Sequence, residues 1–265
     1  MSQTNPTPYS ELNMVLHELA ARAQQSLGDT FIGAYLHGSF AVGDADEHSD
    51  VDFLIAVERE ITADQRAALQ AMHEAIYDLA TPWAQHLEGS YFPRDLLRRD
   101  DKLATPLLYL DNGSRTLIRS AHDNTMVVRW VLREHGIALA GPPPHTLVDP
   151  IDPATLQQEV RAVMRDWGAT LLANPDRLNT RWYQPFAVLS YCRMLHTLQT
   201  AAIESKLAGA TWAKANLDPR WVGLVERAWA ERPGHWLKVQ QPADPADLQQ
   251  TIAFINYAIQ QIDPD

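Results

Sequence analysis

The chain has 265 residues, 46% of them hydrophobic and 21% charged, and a formal net charge of −11. This length allows one large domain or two ordinary ones with a sizeable core, and no stretch approaches the roughly 18 consecutive apolar residues of a membrane helix. The acidic balance disfavours nucleic acid as the main partner, because non-specific affinity for a phosphate backbone comes from clustered cations.

The N-terminal sequence and the cysteine content indicate a compartment. Residues Met1–Pro6 lack the basic start and apolar run of a secretory signal. Cys192 is the single cysteine, so a disulfide within the chain is impossible. We therefore expect a soluble protein of the reducing cytoplasm. We also expect a monomer, because neither half carries a surplus apolar stripe.

The first third of the chain alternates between helical and extended patterns. Helices are predicted where apolar residues recur at helical spacing, and Thr62 is a suitable N-cap for the second of them. Strands are predicted where β-branched, aliphatic and aromatic residues form short runs. The predicted elements are a helix over Tyr9–Leu27, strands over Phe31–His37 and Val51–Val57, a helix over Thr62–Leu79 and a strand over Gln85–Phe92.

A proline-rich connection precedes a second half with helical patterns only. A helix predicted over Asn124–His135 is followed by Gly141-Pro142-Pro143-Pro144 and two Asp-Pro pairs, which indicate a stiff linker. We place the domain boundary there, with an α+β domain over residues 1–148 and an all-α helical bundle over residues 149–265. The bundle helices are predicted near Pro153–Leu172, Pro185–Ile203, Ser205–Ala215, Pro219–Ala230 and Pro245–Ile262.

Residues suited to ligand binding and catalysis concentrate around Gly38-Ser39 and Asp50-Val51-Asp52. Residues two apart in a strand face the same side, so Asp50 and Asp52 project together while Val51 packs on the other face. Adjacent carboxylates repel each other unless a cation lies between them, and Mg²⁺ combines carboxylate ligands with substrate phosphates. Gly38 and Ser39 follow a predicted strand and offer backbone N–H groups and a hydroxyl to a triphosphate. The pattern predicts a nucleotide and metal site.

The segment from Gly38 to Phe53 consists of Gly38-Ser39, a spacer of ten residues and Asp50-Val51-Asp52-Phe53. This pattern resembles the signature of the polymerase-beta-like nucleotidyltransferase superfamily. The resemblance implies a small mixed sheet flanked by helices and an enzyme that uses ATP as co-substrate. It also implies that Asp50 and Asp52 hold two Mg²⁺ ions, one activating the attacking hydroxyl and one steadying the leaving pyrophosphate.

Glu88 lies in the third predicted strand. If that strand runs beside the strand of Asp50 and Asp52, Glu88 becomes a third carboxylate at the same place. Its resemblance to a residue of the aminoglycoside adenylyltransferases implies that Glu88 is the general base that deprotonates an acceptor hydroxyl. The alternative is an ordinary exposed strand glutamate.

The chain resembles the spectinomycin/streptomycin adenylyltransferases over nearly its whole length. Residues 129–142, 187–195 and 204–213 are similar to a domain-closing helix and to two paired helices of that family. The resemblance implies that Arg193 and Lys206 bind the nucleotide phosphates from the far side of an interdomain cleft. A lone arginine in an apolar helix agrees with this role, and an interhelical ion pair is the alternative for Arg193.

The acceptor site departs from that family. Two of its drug-binding positions, an aromatic residue and an acid, hold Arg115 and Tyr183 here, and a cationic aminoglycoside prefers carboxylates and aromatic faces. Asp123, Asp176, Trp182 and Tyr183 could rebuild an acceptor site, and Arg115 is a further candidate substrate residue.

The sequence therefore predicts transfer of AMP from ATP to a hydroxyl of a small, cationic acceptor of the aminoglycoside or aminocyclitol class. Two alternatives stay open. One is the same chemistry on a protein, tRNA or metabolite hydroxyl, and the other is a nucleotide-binding, antitoxin-like interaction module.

Overall fold

The computed structural model describes residues 5–47, 49–99 and 103–262, and the chain divides after Pro150 into two compact units. The first unit contains a six-stranded mixed sheet with helices, and the second is built from helices alone. The predicted α+β fold class is therefore confirmed. None of the helices in these ranges is long and apolar enough to span a membrane.

The first unit follows the predicted order of elements and adds three short strands. Three-residue and four-residue 3₁₀ turns connect some of these elements at Gly28–Thr30, Pro82–Gln85 and Pro144–Thr146. The elements are α1 (Ser10–Leu27), β1 (Phe31–Leu36), α2 (Gly38–Ala41), β2 (Val51–Val57), α3 (Ala63–Tyr77), β3 (Leu87–Pro93), α4 (Arg94–Leu97), β4 (Leu107–Leu110), β5 (Leu117–Ser120), α5 (Met126–His135) and β6 (Ile137–Ala140).

The sheet has the strand order β5-β4-β3-β2-β1-β6, and β2 and β3 are its parallel pair. A parallel pair needs a crossover connection, which α3 supplies. Helices α1 and α3 cover one face, where the apolar residues of β2 and β3 alternate inward. The opposite face of the same strands carries the polar residues Asp52, Glu88 and Ser90.

The N-terminus of α3 confirms the predicted cap. The Thr62 hydroxyl accepts a hydrogen bond from the backbone N–H of Gln65, and the Gln65 side chain accepts one from the backbone N–H of Thr62. This reciprocal capping box satisfies two N–H groups that the helix leaves open. Gln65 also donates to the carbonyl oxygen of Leu27, which ties α3 to the end of α1.

His73 is a buried titratable residue in the core between α3 and the sheet. Its ring stacks on Phe53, and its Nε2 lies 2.7 Å from the Tyr91 hydroxyl. Burial lowers the pKa of His73 to about 3. The folded protein therefore keeps this ring neutral at pH values where the unfolded chain protonates it.

We expect His73 to destabilise the folded protein progressively as the pH falls from about 6.5 towards 3. The unfolded state binds an extra proton in this window, which costs up to about 1.4 kcal/mol of unfolding free energy per pH unit. Urea unfolding from pH 7 to pH 4.5 tests this. His73→Leu combined with Tyr91→Phe removes both polar partners and should give a shallower decline, whereas parallel curves would contradict the assignment.

The second unit is a five-helix bundle arranged around one central helix. The bundle helices are α6 (Pro153–Ala173), α7 (Tyr183–Thr200), α8 (Lys206–Asn216), α9 (Val222–Glu231) and α10 (Pro245–Gln260). Helix α7 packs against the other four, and its residues Tyr191 and Cys192 are fully buried. Asp152, Ser205 and Asp244 accept backbone N–H bonds at the starts of α6, α8 and α10.

Candidate active site

Two carboxylates lie at the start of β2, and a third lies beside them on β3. The parallel register places Asp52 opposite Glu88, and Asp50 immediately precedes β2. One carboxylate oxygen from each of the three residues lies within 4.8 Å of the other two. The strand pairing on which the place of Glu88 depended is therefore present.

The turn after β1 brings the backbone against these carboxylates. The N–H of His37 donates to the carbonyl oxygen of Asp52 at 2.9 Å, which ties the turn to β2. Gly38 has a φ of +58°, and a Cβ at this position would overlap the Asp52 carboxylate. The Ser39 hydroxyl is shielded from solvent and has no hydrogen-bond partner within the described part of the chain. Buried hydroxyls are normally hydrogen-bonded, so a ligand or a water molecule is the expected partner of the Ser39 hydroxyl.

This donor set fits a hard divalent cation. Mg²⁺ is held in proteins by one or two carboxylates together with water and substrate phosphates. The clustered oxygens of Asp50 and Asp52 meet the first requirement, and the lack of a side chain at Gly38 lets the Asp52 carboxylate lie directly against the turn. Carboxylates this close repel one another when no cation is bound. Asp50 and Asp52 could therefore hold such a cation.

Glu88 differs from the two aspartates in its surroundings. Burial raises the pKa of Glu88 to about 7, and the charges of Asp50 and Asp123 act in the same direction. A hydrogen bond from Tyr109 and the ring of His122, which lies 3.3 Å from Glu88 Oε1, oppose the rise. A carboxyl group that titrates near neutral pH can accept a proton and release it again, as a general base must.

Asp123 joins this cluster, although the sequence indicated it only as an acceptor candidate. The Ser90 hydroxyl donates to Asp123 Oδ2 at 2.7 Å, and ligand atoms of Glu88, His122 and Asp123 lie within 4.8 Å of one another. The next residue, Asn124, accepts from the buried Arg129 guanidinium at 2.7 Å. Arg129 therefore anchors the loop that carries His122 and Asp123.

His37 is a buried group of this region that sequence reasoning missed. Its burial lowers the pKa of the ring, while the charges of Asp123 and Asp50 oppose the change. The His37 ring forms a hydrogen bond with the backbone of Phe53. Its Nε2 has no hydrogen-bond partner among the residues described. Its position directly before the Gly38-Ser39 pair was the signal from which His37 could have been predicted.

The two predicted phosphate-binding cations lie on facing sides of α7 and α8. A Cβ on Gly209 of α8 would lie 2.7 Å from the Cα of Arg193, so the two helices are in close contact at this point. Lys206 is three residues before Gly209, and its Nζ lies 5.3 Å from the centre of the Phe186 ring. Phe186 and Arg193 are seven residues apart on α7 and therefore share a face.

The predicted acceptor residues fall into different surroundings. Trp182 and Tyr183 lie at the start of α7, where the Trp182 ring stacks on Phe186 at 5.9 Å and the Tyr183 hydroxyl accepts from Trp167 Nε1 at 3.1 Å. The structure thus brings Trp182, Tyr183 and Lys206 together around Phe186. Asp176 is exposed in a 3₁₀ turn, Pro175–Leu178.

Arg115 is held on the side of the sheet that α3 covers. Its guanidinium lies 2.8 Å from Asp78 and 4.3 Å from the centre of the Tyr77 ring. Its backbone carbonyl accepts from Gln70. These contacts tie Arg115 to the C-terminal part of α3.

Known proteins resemble the chain over both units. Residues 26–82 match the family described as polymerase beta, nucleotidyltransferase, and residues 146–261 match the aminoglycoside adenylyltransferase C-terminal domain. The chain is 22% identical to an aminoglycoside (3'')(9) adenylyltransferase of Shigella flexneri, over 96% of this chain and 97% of that protein. It is 23% identical to one of Escherichia coli, over 83% of this chain and 84% of that protein.

A solved structure has the same fold. Spectinomycin adenyltransferase AAD(9) from Enterococcus faecialis, determined with ATP and spectinomycin, superposes with a TM-score of 0.68 and 14% identity. The match covers 93% of this chain and 98% of that chain. The chain is therefore similar to the aminoglycoside adenylyltransferases over both of its units.

The two family matches divide the candidate residues of this chain between them. The polymerase-beta match contains Gly38, Ser39, Asp50 and Asp52, and the adenylyltransferase match contains Arg193 and Lys206, together with Asp176, Trp182 and Tyr183. Glu88 and its neighbours lie in residues 83–145, which neither match covers.

Proposed function

We propose that the protein transfers AMP from MgATP to a hydroxyl of an aminoglycoside or aminocyclitol and releases pyrophosphate. The observation that carries the proposal is the convergence of Asp50, Asp52 and Glu88 beside the Gly38-Ser39 turn. It is supported by the relatives, which are aminoglycoside adenylyltransferases, and by the AAD(9) structure, which contains ATP and spectinomycin.

Each residue of the cluster has a distinct task in this reaction. Asp50 and Asp52 would hold two Mg²⁺ ions, whose chemistry would be to neutralise phosphate charge and to stabilise the entering and leaving oxygens. The Gly38-Ser39 turn binds phosphate oxygens through its backbone N–H groups and the unpartnered Ser39 hydroxyl. Glu88 accepts the proton of the acceptor hydroxyl. Arg193 and Lys206 contribute the further cations that a triphosphate requires.

The acceptor class follows from charge as well as from the relatives. An aminoglycoside is a polycation, and the carboxylates of Glu88, Asp111 and Asp123 lie on or next to neighbouring strands. Acidic groups attract such a ligand and suppress binding of anionic acceptors. We include Asp123 among the acceptor-facing residues, with Trp182 and Tyr183 as aromatic surfaces and Asp176 as a further acid. Arg115 is engaged with Asp78 and Tyr77 and is assigned no acceptor contact.

Pyrophosphate release by the purified protein tests the proposal. The assay uses MgATP with a panel of aminoglycosides and aminocyclitols that includes spectinomycin and streptomycin. We expect release that depends on one of these drugs and falls by at least about a hundredfold in Asp52→Asn. Asp64→Asn is the matched control, because Asp64 is an exposed acid at the start of α3.

Two results would contradict the proposal. Release that persists in Asp52→Asn would remove the carboxylate pair from the reaction. ATP binding without pyrophosphate release for any drug would indicate that the acceptor is instead a protein, tRNA or metabolite hydroxyl. In that case, co-elution of a stable macromolecule in size-exclusion chromatography would favour an interaction module.

A further inference from the structure

Tyr109 contacts two carboxylates from within the sheet. Its side chain is 3% exposed, and its hydroxyl lies 2.5 Å from Glu88 Oε1 and 3.0 Å from Asp111 Oδ1. The Tyr109 ring also packs against the His122 ring, with 5.5 Å between centroids. Neither the family matches nor the candidate residues of the sequence include this tyrosine.

The strand register explains why Tyr109 reaches Glu88. Ser90 of β3 pairs with Tyr109 of β4, and paired residues project to the same side of a sheet. Glu88 is two residues before Ser90 and shares that side. The diagonal between Glu88 and Tyr109 is a distance that an aromatic side chain spans. The contact is thus built into two neighbouring strands and needs no mobile loop.

The contacts on Glu88 are unevenly distributed between its two oxygens. The Tyr109 hydroxyl and the His122 Nε2 both approach Oε1. Among the described residues, Oε2 is consequently the oxygen available to take a proton from an acceptor. A hydrogen bond to an ionised group is short and strong, which matches the 2.5 Å separation.

From this geometry we propose that Tyr109 is the positioning residue of the base. Its hydroxyl donates to Oε1, fixes the rotation of the carboxyl group and directs Oε2 towards the acceptor hydroxyl. A phenol carries one proton, so Tyr109 donates to Glu88 or to Asp111 at any moment, and the shorter contact favours Glu88. The proposal rests on the proposed function, in which Glu88 is the base.

Tyr109→Phe tests the proposal, because it keeps the ring and removes the donor. We expect kcat to fall about 10- to 100-fold, the effect of one hydrogen bond to a charged group. KM for ATP should stay within about twofold, because the described contacts of Tyr109 are with Glu88, Asp111 and His122 and not with the Gly38-Ser39 turn. The acidic limb of the pH–rate profile should move to higher pH, because the ionised form of Glu88 loses a donor.

Tyr91→Phe is the matched control. Tyr91 lies on the next strand, is equally buried and donates or accepts one side-chain hydrogen bond, but it faces His73 and the core. It should lose stability without any change in the pH–rate profile. If Tyr109 acts through Glu88, adding Tyr109→Phe to Glu88→Gln should not lower the residual rate further.

A second readout needs no acceptor. The ¹³C signal of the Glu88 carboxyl group, assigned by its absence in Glu88→Gln, is followed against pH in the free protein without divalent cation. Tyr109→Phe should raise its midpoint, and Tyr91→Phe should leave it unchanged. An unchanged midpoint and unchanged kcat in Tyr109→Phe would overturn the positioning role. Full activity in Glu88→Gln would instead overturn the assignment of the base, whatever the ¹³C result.

Discussion

Replacing Glu88 by glutamine is expected to lower the transfer rate by about 100- to 10,000-fold, the usual contribution of a general base. Glutamine keeps the size of the side chain and an oxygen that can accept the Tyr109 hydrogen bond, but it cannot take up a proton. ATP binding should persist, because Asp50, Asp52 and the Gly38-Ser39 turn remain in place.

The same substitution should make the folded protein more stable above neutral pH. Burial raises the pKa of Glu88 to about 7 in the folded state. The folded state therefore binds more protons than the unfolded state between about pH 4.5 and pH 7, and stability falls as the pH rises through this window. Removing the charge should recover about 1 to 3 kcal/mol at pH 8 and little at pH 4.5.

Thermal unfolding with EDTA at pH 4.5 and pH 8 separates these expectations. Glu74→Gln is the control, because Glu74 is an exposed acid on α3. The gain of Glu88→Gln should shrink with saturating Mg²⁺, because a cation bound beside Glu88 would stabilise the ionised carboxylate of the folded wild type. A loss of ATP binding in Glu88→Gln would make Glu88 a metal ligand. Equal stability of mutant and wild type at pH 8 would contradict the raised pKa.

Gly38→Ala should abolish most of the activity, because two constraints act on this position. Its φ of +58° is costly for a residue with a Cβ, and the new Cβ would overlap the Asp52 carboxylate. Asp52 would have to move away from the turn, which would change its position relative to Asp50 and Glu88. We expect transfer to fall by at least about a hundredfold, because displacement of catalytic groups by 1 Å has effects of this size.

Gly43→Ala separates the two constraints. Gly43 has a φ of +77°, but a Cβ there would meet no atom within 4 Å. This variant should lose about 1 to 2 kcal/mol of stability through backbone strain and keep its activity. Assays of transfer and calorimetry with MgATP on both variants provide the measurement. Equal activity loss in the two variants would show that strain in the turn, and not the overlap with Asp52, is what matters.

The parts of the fold that depend on local pattern were predictable. The run of β-branched, aliphatic and aromatic residues in Val51–Val57 identified a strand, and the Thr62 cap identified the start of α3. The strand-turn-strand setting and the resemblance to the nucleotidyltransferase signature placed Gly38-Ser39 and the aspartates together. The position of Glu88 required one further assumption, that its strand pairs with β2, and the register bears this out.

The parts that depend on distant partners were not predictable. β4 and β5 have four residues each and acquire their role by pairing with β3, and β6 pairs with β1, about 100 residues earlier. Ile137–Ala140 has no polar alternation and directly follows α5, so the sequence interpretation treated it as the exit from a helix. The contact of Tyr109 with Glu88 depends on the β3–β4 register and was missed for the same reason.

Val51, Asp52 and Phe53 alternate between the two faces of the sheet, so the transfer activity depends on the register of β2. The residues with odd numbers enter the core, and Asp52 projects from the other face towards Glu88. A slip of β2 by one residue would drive carboxylates into the core and expose Phe53. In a refolding experiment, the protein could recover its helix content before its transfer activity. The time at which activity returns would then be the time at which β2 and β3 reach their native register.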